Sequence, residues 1–247
     1  MLKIGAADAD AVKAVKAQLA AYGYGSASPP GVFDGELASI VKLFQSQHVD
    51  AAGRALKADG IVGPLTWAAL FASPHVDLPA TGPAATALAA ARSKIGVMEQ
   101  PPGSNSGPEV TAFLTSVGAH QGDAWCMAFV SWCFQQAANN GAANAFPRTA
   151  GCLDAWNDVR GSSPQRIVTR AAAIADPGRV KPGMVFILDH GGGHGHTGFV
   201  TRQLGGALGT VEGNSNDTGA AEGVGVFALN RRSVMESDLK GFLDFTF

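Results

Sequence analysis

Charge is scarce in this 247-residue chain. Asp, Glu, Lys and Arg make up 15% of it, and the net charge is −2. The shortage is even along its length: residues 1–80 hold six basic against seven acidic side chains, and the remainder twelve against thirteen. No basic stripe is available to track a phosphate backbone, so nucleic acid and anionic membrane surfaces are excluded as expected partners. Long apolar runs are also missing. No segment reaches the length of a membrane span, and Met1-Leu2-Lys3-Ile4-Gly5-Ala6-Ala7-Asp8 lacks the apolar core of a signal peptide. Cysteine is limited to three residues, with no C-x-x-C spacing, which implies neither a disulfide framework nor a zinc ribbon. A single Cys133–Cys152 bridge is compatible with the count. What is abundant is small and apolar: 46% hydrophobic residues and 32 glycines describe a globular protein.

The richest stretch is Asp123-Ala124-Trp125-Cys126-Met127-Ala128-Phe129-Val130-Ser131-Trp132-Cys133-Phe134. From Cys126, apolar residues fall at Phe129, Val130, Cys133, Phe134 and Ala137, the spacing of one buried helical face. A cysteine on the first turn of a helix meets unpaired N–H groups and the favourable end of the dipole. Both would favour a nucleophilic thiolate, and the same N–H groups could hold an oxyanion. A buried, inert core cysteine is the competing reading.

Upstream, Val12, Val15, Leu19 and Tyr22 predict a helix capped by Asp8 or Asp10. A second helix spans about 35–47, and a third opens at Pro64. The turns before the last two repeat one another: Gly31-Val32-Phe33-Asp34-Gly35 aligns with Gly60-Ile61-Val62-Gly63-Pro64. Asp34, Asp59 and Trp67 are expected to be caps, turn residues and core. Residues 73–86 contain three prolines and no helical or strand period, which predicts a stiff linker. Helices follow near 87–95 and 108–117, and then the helix of Cys126. The period then changes to strands over 184–188, 197–203, 208–212, 224–229 and 241–247, the last with Asp244 and Thr246 on a wet face. Helices first and strands after predict an α+β fold. The stretch 159–179 is expected to be a surface excursion.

His190, His194 and His196 crowd one glycine-rich turn. They could bind zinc, although a triglycine loop holds them on no rigid element. Alternatively His196, opening a strand, points at a cysteine on a packed helix. Glu212 and Asn214, at the end of the next strand, could accept from the second ring nitrogen of His196 and hold its tautomer. The bland reading of that cluster is a solvated turn.

Together these segments carry two resemblances. Phe44-Gln45 and Asp59-Gly60-Ile61-Val62-Gly63-x-x-Thr66-Trp67 resemble the peptidoglycan-binding three-helix module, although Pro30, Asp34 and Leu37 depart from its first turn. Trp125-Cys126-x-x-Phe129-Val130-x-Trp132, Lys181-Pro182-Gly183-Met184-Val185-Phe186, Gly195-His196-Thr197-Gly198-Phe199-Val200 and Glu212-Gly213-Asn214 resemble CHAP domains, papain-like amidohydrolases and peptidases of the NlpC/P60 superfamily. The implied layout is a peptidoglycan-binding domain at 1–72, a linker at 73–86 and a CHAP-like domain at 87–247. By this resemblance Cys126 is the nucleophile, His196 the base, Glu212 the orienting group and Asn214 a fourth polar member. Gln121 is a candidate oxyanion donor. His190 and His194 do not carry over.

Calcium-binding members have an acidic loop before the cysteine. His120-Gln121-Gly122-Asp123 offers one acid, so no metal or other cofactor is expected. The implied partner is peptidoglycan, cut at peptide crosslinks or at the amide joining peptide to glycan. The implied setting is a phage endolysin, or an antibacterial effector that would be matched by an immunity protein. Either would be made in the cytoplasm, released by a holin or a secretion machine, and would act in the wall or periplasm. The alternatives are a non-catalytic wall-binding protein with a degenerate hydrolase domain, and a metalloenzyme built on the histidines.

Overall fold

The computed structural model describes residues 1–25, 28–50, 54–71, 79–139, 141, 145–216 and 223–247. Eight α-helices and one six-stranded sheet are formed among them. The first three helices are α1 (Ala9–Ala21), α2 (Gly35–Gln47) and α3 (Pro64–Phe71). Asp8 caps α1 by accepting from the Ala11 N–H at 3.1 Å, and Asp34 caps α2 by accepting from Leu37 at 3.0 Å. In the second turn of the repeat, Asp59 accepts from Ile61 N–H at 2.9 Å. Gln45 ties this turn to α2: its amide donates to the Ile61 carbonyl and the Thr66 hydroxyl, while its own oxygen accepts from Gly60. Trp67 is fully buried. Asp34, Asp59 and Trp67 thus sit as caps, turn and core.

Helix α4 (Gly82–Ser93) starts inside the segment expected to be a linker, because Thr81 and Ala84 are held by the carbonyls of Thr246 and Phe245. Residues 79–81 precede it without regular structure, and the rest of that expectation, residues 73–78, lies outside the described residues. Next come α5 (Pro108–Ser116), α6 (Cys126–Asn139) and α7 (Cys152–Ser162). The stretch 159–179 is no excursion. It contains the end of α7, strand β1 (Ile167–Thr169) and helix α8 (Arg170–Ala175), with Val159, Val168, Ala173 and Ile174 buried.

The remaining strands are β2 (Val185–Gly191), β3 (His194–Leu204), β4 (Ala207–Ser215), β5 (Gly225–Ser233) and β6 (Leu239–Leu243). The sheet order is β1-β6-β2-β3-β4-β5, and every pairing is antiparallel. β6 ends at Leu243, and Asp244 and Thr246 beyond it are buried rather than wet. The Asp244 carboxylate accepts from the Thr246 N–H and hydroxyl, which satisfies both residues away from water. The architecture is α+β, a small helical domain followed by helices on an antiparallel sheet.

Strand alternation sends residues to two separate cores. Val185, Ile187, Phe199, Val211 and Leu243 face α4, α5, α6 and α7. Phe186, Leu188, Val200, Leu208 and Phe242 face the other way, joining α8 and the apolar residues of the N-terminal module in one cluster that includes Val12, Leu19, Phe44, Trp67 and Leu70. The N-terminal module and the sheet therefore share a core, beyond the linker connection expected between them. Charge reinforces it: Arg170 at the start of α8 pairs with Asp8, and also donates to the carbonyls of Met235 and Glu236. At the β3–β4 turn the approach is too close for any side chain. A Cβ on Gly206 would lie 2.4 Å from the Trp67 indole nitrogen, and the positive φ of 88° there also favours glycine.

Candidate active site

Cys126 is the first residue of α6. The Trp125 carbonyl accepts the first helical hydrogen bond, from Phe129 at 2.9 Å, so the N–H groups of the first turn have no acceptor within the helix. Trp125 is fixed by burial and by its indole N–H, which donates to Glu99 at 2.8 Å. Against this helix end lies β4. A Cβ on Gly213 would fall 2.7–2.9 Å from the ring and Cβ of Phe129, so only glycine lets the strand come this close to α6.

His196 projects from β3, paired with Leu188 of β2. Its Nε2 lies 2.8 Å from Glu212 Oε2, and its ring stands close enough to the Cys126 thiol that each shifts the titration of the other. Since Nε2 is taken by the carboxylate, Nδ1 is the ring nitrogen left for the sulfur. Cys126, His196 and Glu212 are thus brought into one line, from a helix start and two adjacent strands.

Glu212 has no exposed surface. Arg232, on β5, grips it with both arms of its guanidinium: Nε donates to Oε1 at 2.9 Å and Nη2 to Oε2 at 2.8 Å. Thr210 and Ser215 hydroxyls also donate to it, at 2.7 and 3.3 Å. Burial alone would favour the neutral acid, but the bonds from Arg232 and His196 outweigh it and hold the carboxyl well below its ordinary range. Burial likewise works against a charged His196. The bonds to Cys126 and Glu212 prevail and raise it to about 9. The Cys126 thiol is pushed well below its ordinary value, first by its hydrogen bond with Cys152, against burial, and then by His196 and the Met127 N–H. Both shifts favour a thiolate–imidazolium pair.

Asn214 follows at a bulge that breaks the β4–β5 register between Glu212 and Ser215. Its φ of 51° turns the residue out of strict alternation. It lines the same cleft of about 600 Å3 as Cys126 and His196, together with Arg231 and the turn histidines. Gln121 lies elsewhere: it is exposed and its amide donates to the Ser106 hydroxyl. His190 and His194 rim the cleft, and His190 Nε2 pairs with Asp238 at 3.2 Å. Among the described residues, no group of three or more His, Cys, Asp and Glu side chains is arranged to hold a metal ion.

Two participants escaped the sequence reading. Arg232 carries no motif, and it stands in a polar stretch, Asn230-Arg231-Arg232-Ser233, with nothing local to single it out. Cys152 lies 3.6 Å, sulfur to sulfur, from Cys126, and no disulfide joins any of the three cysteines. Cys133 is two turns along α6 in the core, so the pairing considered from the count alone is replaced by proximity of Cys152 to the first cysteine.

A cysteine at a helix start, a histidine between it and a buried carboxylate, and a helix-on-sheet fold are an arrangement suited to nucleophilic thiol chemistry. Residues 118–214 match the family described as "CHAP domain", and residues 8–70 match the family described as "Putative peptidoglycan binding domain". The chain thus combines a peptidoglycan-binding domain with a CHAP domain, in that order. No curated protein and no solved structure matches it. Peptidoglycan hydrolysis or binding is the role these two domains support.

Proposed function

We propose that this protein cleaves amide bonds of peptidoglycan peptides through Cys126. The thiolate attacks the carbonyl carbon, and its electron pair forms a carbon–sulfur bond as the carbonyl becomes an oxyanion held by first-turn N–H groups of α6. The His196 imidazolium gives its proton to the departing amine, and the carbon–nitrogen bond breaks to leave a thioester. His196, now neutral, takes a proton from water, the hydroxide attacks the thioester, and the acid product leaves Cys126 as thiolate. Glu212 stays ionised throughout and keeps His196 in line; Asn214 lines the cleft beside it. Gln121 has its amide on Ser106, so the oxyanion is assigned to the backbone.

The observation that carries this reading is Cys126 beside His196, itself hydrogen-bonded to buried Glu212, in one open cleft and in a segment of CHAP type. The helical module delivers the site to the wall polymer, and the place of action is the cell wall, reached by lysis-coupled release or by injection. The test is mass analysis of fragments from purified sacculi incubated with the protein. A new free amine and carboxyl at a peptide crosslink identify an endopeptidase, and free peptides bearing an N-terminal alanine identify an amidase. Cys126→Ala should release neither while keeping its melting transition, because alanine suits a first helical turn. Undiminished release by that variant would overturn the assignment of the nucleophile.

A further inference from the structure

Cys152 opens α7, and its sulfur stands 3.6 Å from that of Cys126 inside the same buried site. Two thiolates at this distance and burial would repel strongly, so one of the two sulfurs keeps its proton. Each cysteine begins a helix, and the helix ends alone do not decide which is charged. The neighbours do. Cys126 faces the His196 imidazolium and the Met127 N–H, both donors. Cys152 faces the Cys126 sulfur, and in its own first turn stands Asp154, a like charge. The proton therefore stays on Cys152. The side chain is held in this position: a Cβ on Gly195, beside His196, would lie 3.2 Å from the Cys152 Cβ, so the start of β3 packs directly on it.

We propose that Cys152 is a further catalytic residue, whose S–H donates to the Cys126 thiolate and sets the basicity of the attacking sulfur. The sulfur then accepts from His196, from Cys152 and from a backbone N–H. A thiolate so held forms at lower pH but attacks less eagerly, since nucleophilicity falls with basicity. Cys152 thus trades intrinsic reactivity for a larger charged fraction in mildly acidic surroundings. The other ionisable groups around the site are Glu212 and Arg232 behind His196, Asp154 on α7, and His190, His194 and Arg231 lining the cleft. None of them needs to move for the effect described.

This inference rests on Cys126 as the nucleophile, but its test needs no substrate. The full-length protein, Cys152→Ala and Cys152→Ser are treated with iodoacetamide from about pH 4 to pH 9, and alkylation of the Cys126 peptide is followed by mass spectrometry. Cys152→Ala should raise the acid midpoint by about one pH unit, slowing alkylation about tenfold below it. Cys152→Ser retains a donor and should move it less. An unshifted midpoint in Cys152→Ala overturns the proposal. A second measurement holds even if that variant does not fold. Thiolate absorbance of the unmodified protein should rise by one thiolate per chain below about pH 8 and vanish in Cys126→Ala, whereas two thiolates would overturn the donor role. If Cys126 of the unmodified protein instead titrates as an ordinary thiol, it is the nucleophile reading that fails.

Discussion

Replacing Glu212 by glutamine keeps the shape of the side chain and removes its charge, which separates the orienting role of this residue from that of Asn214. His196 Nε2 would still find an oxygen 2.8 Å away, but a neutral one. A hydrogen bond to a charged partner contributes about 1.5–3 kcal/mol against about 0.5–1.5 for a neutral one, so some 1.5 kcal/mol of imidazolium stabilisation is lost. With each 1.36 kcal/mol worth a factor of ten, turnover should fall by roughly tenfold, with KM little changed.

A structural cost runs alongside. Arg232 would lose its bidentate carboxylate, and breaking a buried pair costs about 3–5 kcal/mol; the Glu236 carboxylate 3.3 Å from Arg232 moderates this. The melting temperature should drop by several degrees, so kinetics are compared well below both transitions. The pH profile distinguishes the two effects. The carboxylate is one of the groups that raise His196 to about 9, so without it the alkaline limb of kcat should move to lower pH. Asn214→Ala should leave that limb in place and cost less turnover. The reasoning fails if Asn214→Ala is the more damaging change, or if Glu212→Gln leaves the alkaline limb where it was.

Activity of the unmodified protein should fall as pH rises past about 9, where His196 loses its proton. Titration calorimetry or thermal melts should show that this group's contribution to stability is complete below its unfolded value of 6.5 and disappears as pH rises through about 9, the sign expected for a raised histidine. The segment 82–247 expressed alone loses the N-terminal helices from the cluster in which Phe186, Leu188, Val200, Leu208 and Phe242 are buried. At about 1.5–3 kcal/mol for each large side chain uncovered, the loss rivals the whole stability of a domain, so it should aggregate or bind apolar dyes; a sharp melt like that of the full chain would refute the shared core. Wall lysis should survive EDTA, and loss on chelation with rescue by calcium or zinc would refute a metal-independent thiol mechanism.

Local chemistry was enough to place the helices and their caps. Asp8, Asp34 and Pro64 mark helix starts because they satisfy or dispense with the first backbone donors, a requirement settled within one turn. The periodicity after Cys126 made that helix legible, and the order of the Cys, His and Glu motifs made the candidate site legible with it. Periodicity says that a residue is buried but not what covers it. The run Val185-Phe186-Ile187-Leu188 has no polar alternation, which is the signature of a strand covered on both faces. Only the folded chain shows that the N-terminal helices are part of the second cover, and the apolar faces of those helices read equally well as a core of their own. Arg232 and Cys152 likewise have no local mark. One meets Glu212 across the sheet and the other meets Cys126 between two helix starts, 20 and 26 residues away in sequence, so their roles exist only once those distances are closed by the tertiary structure.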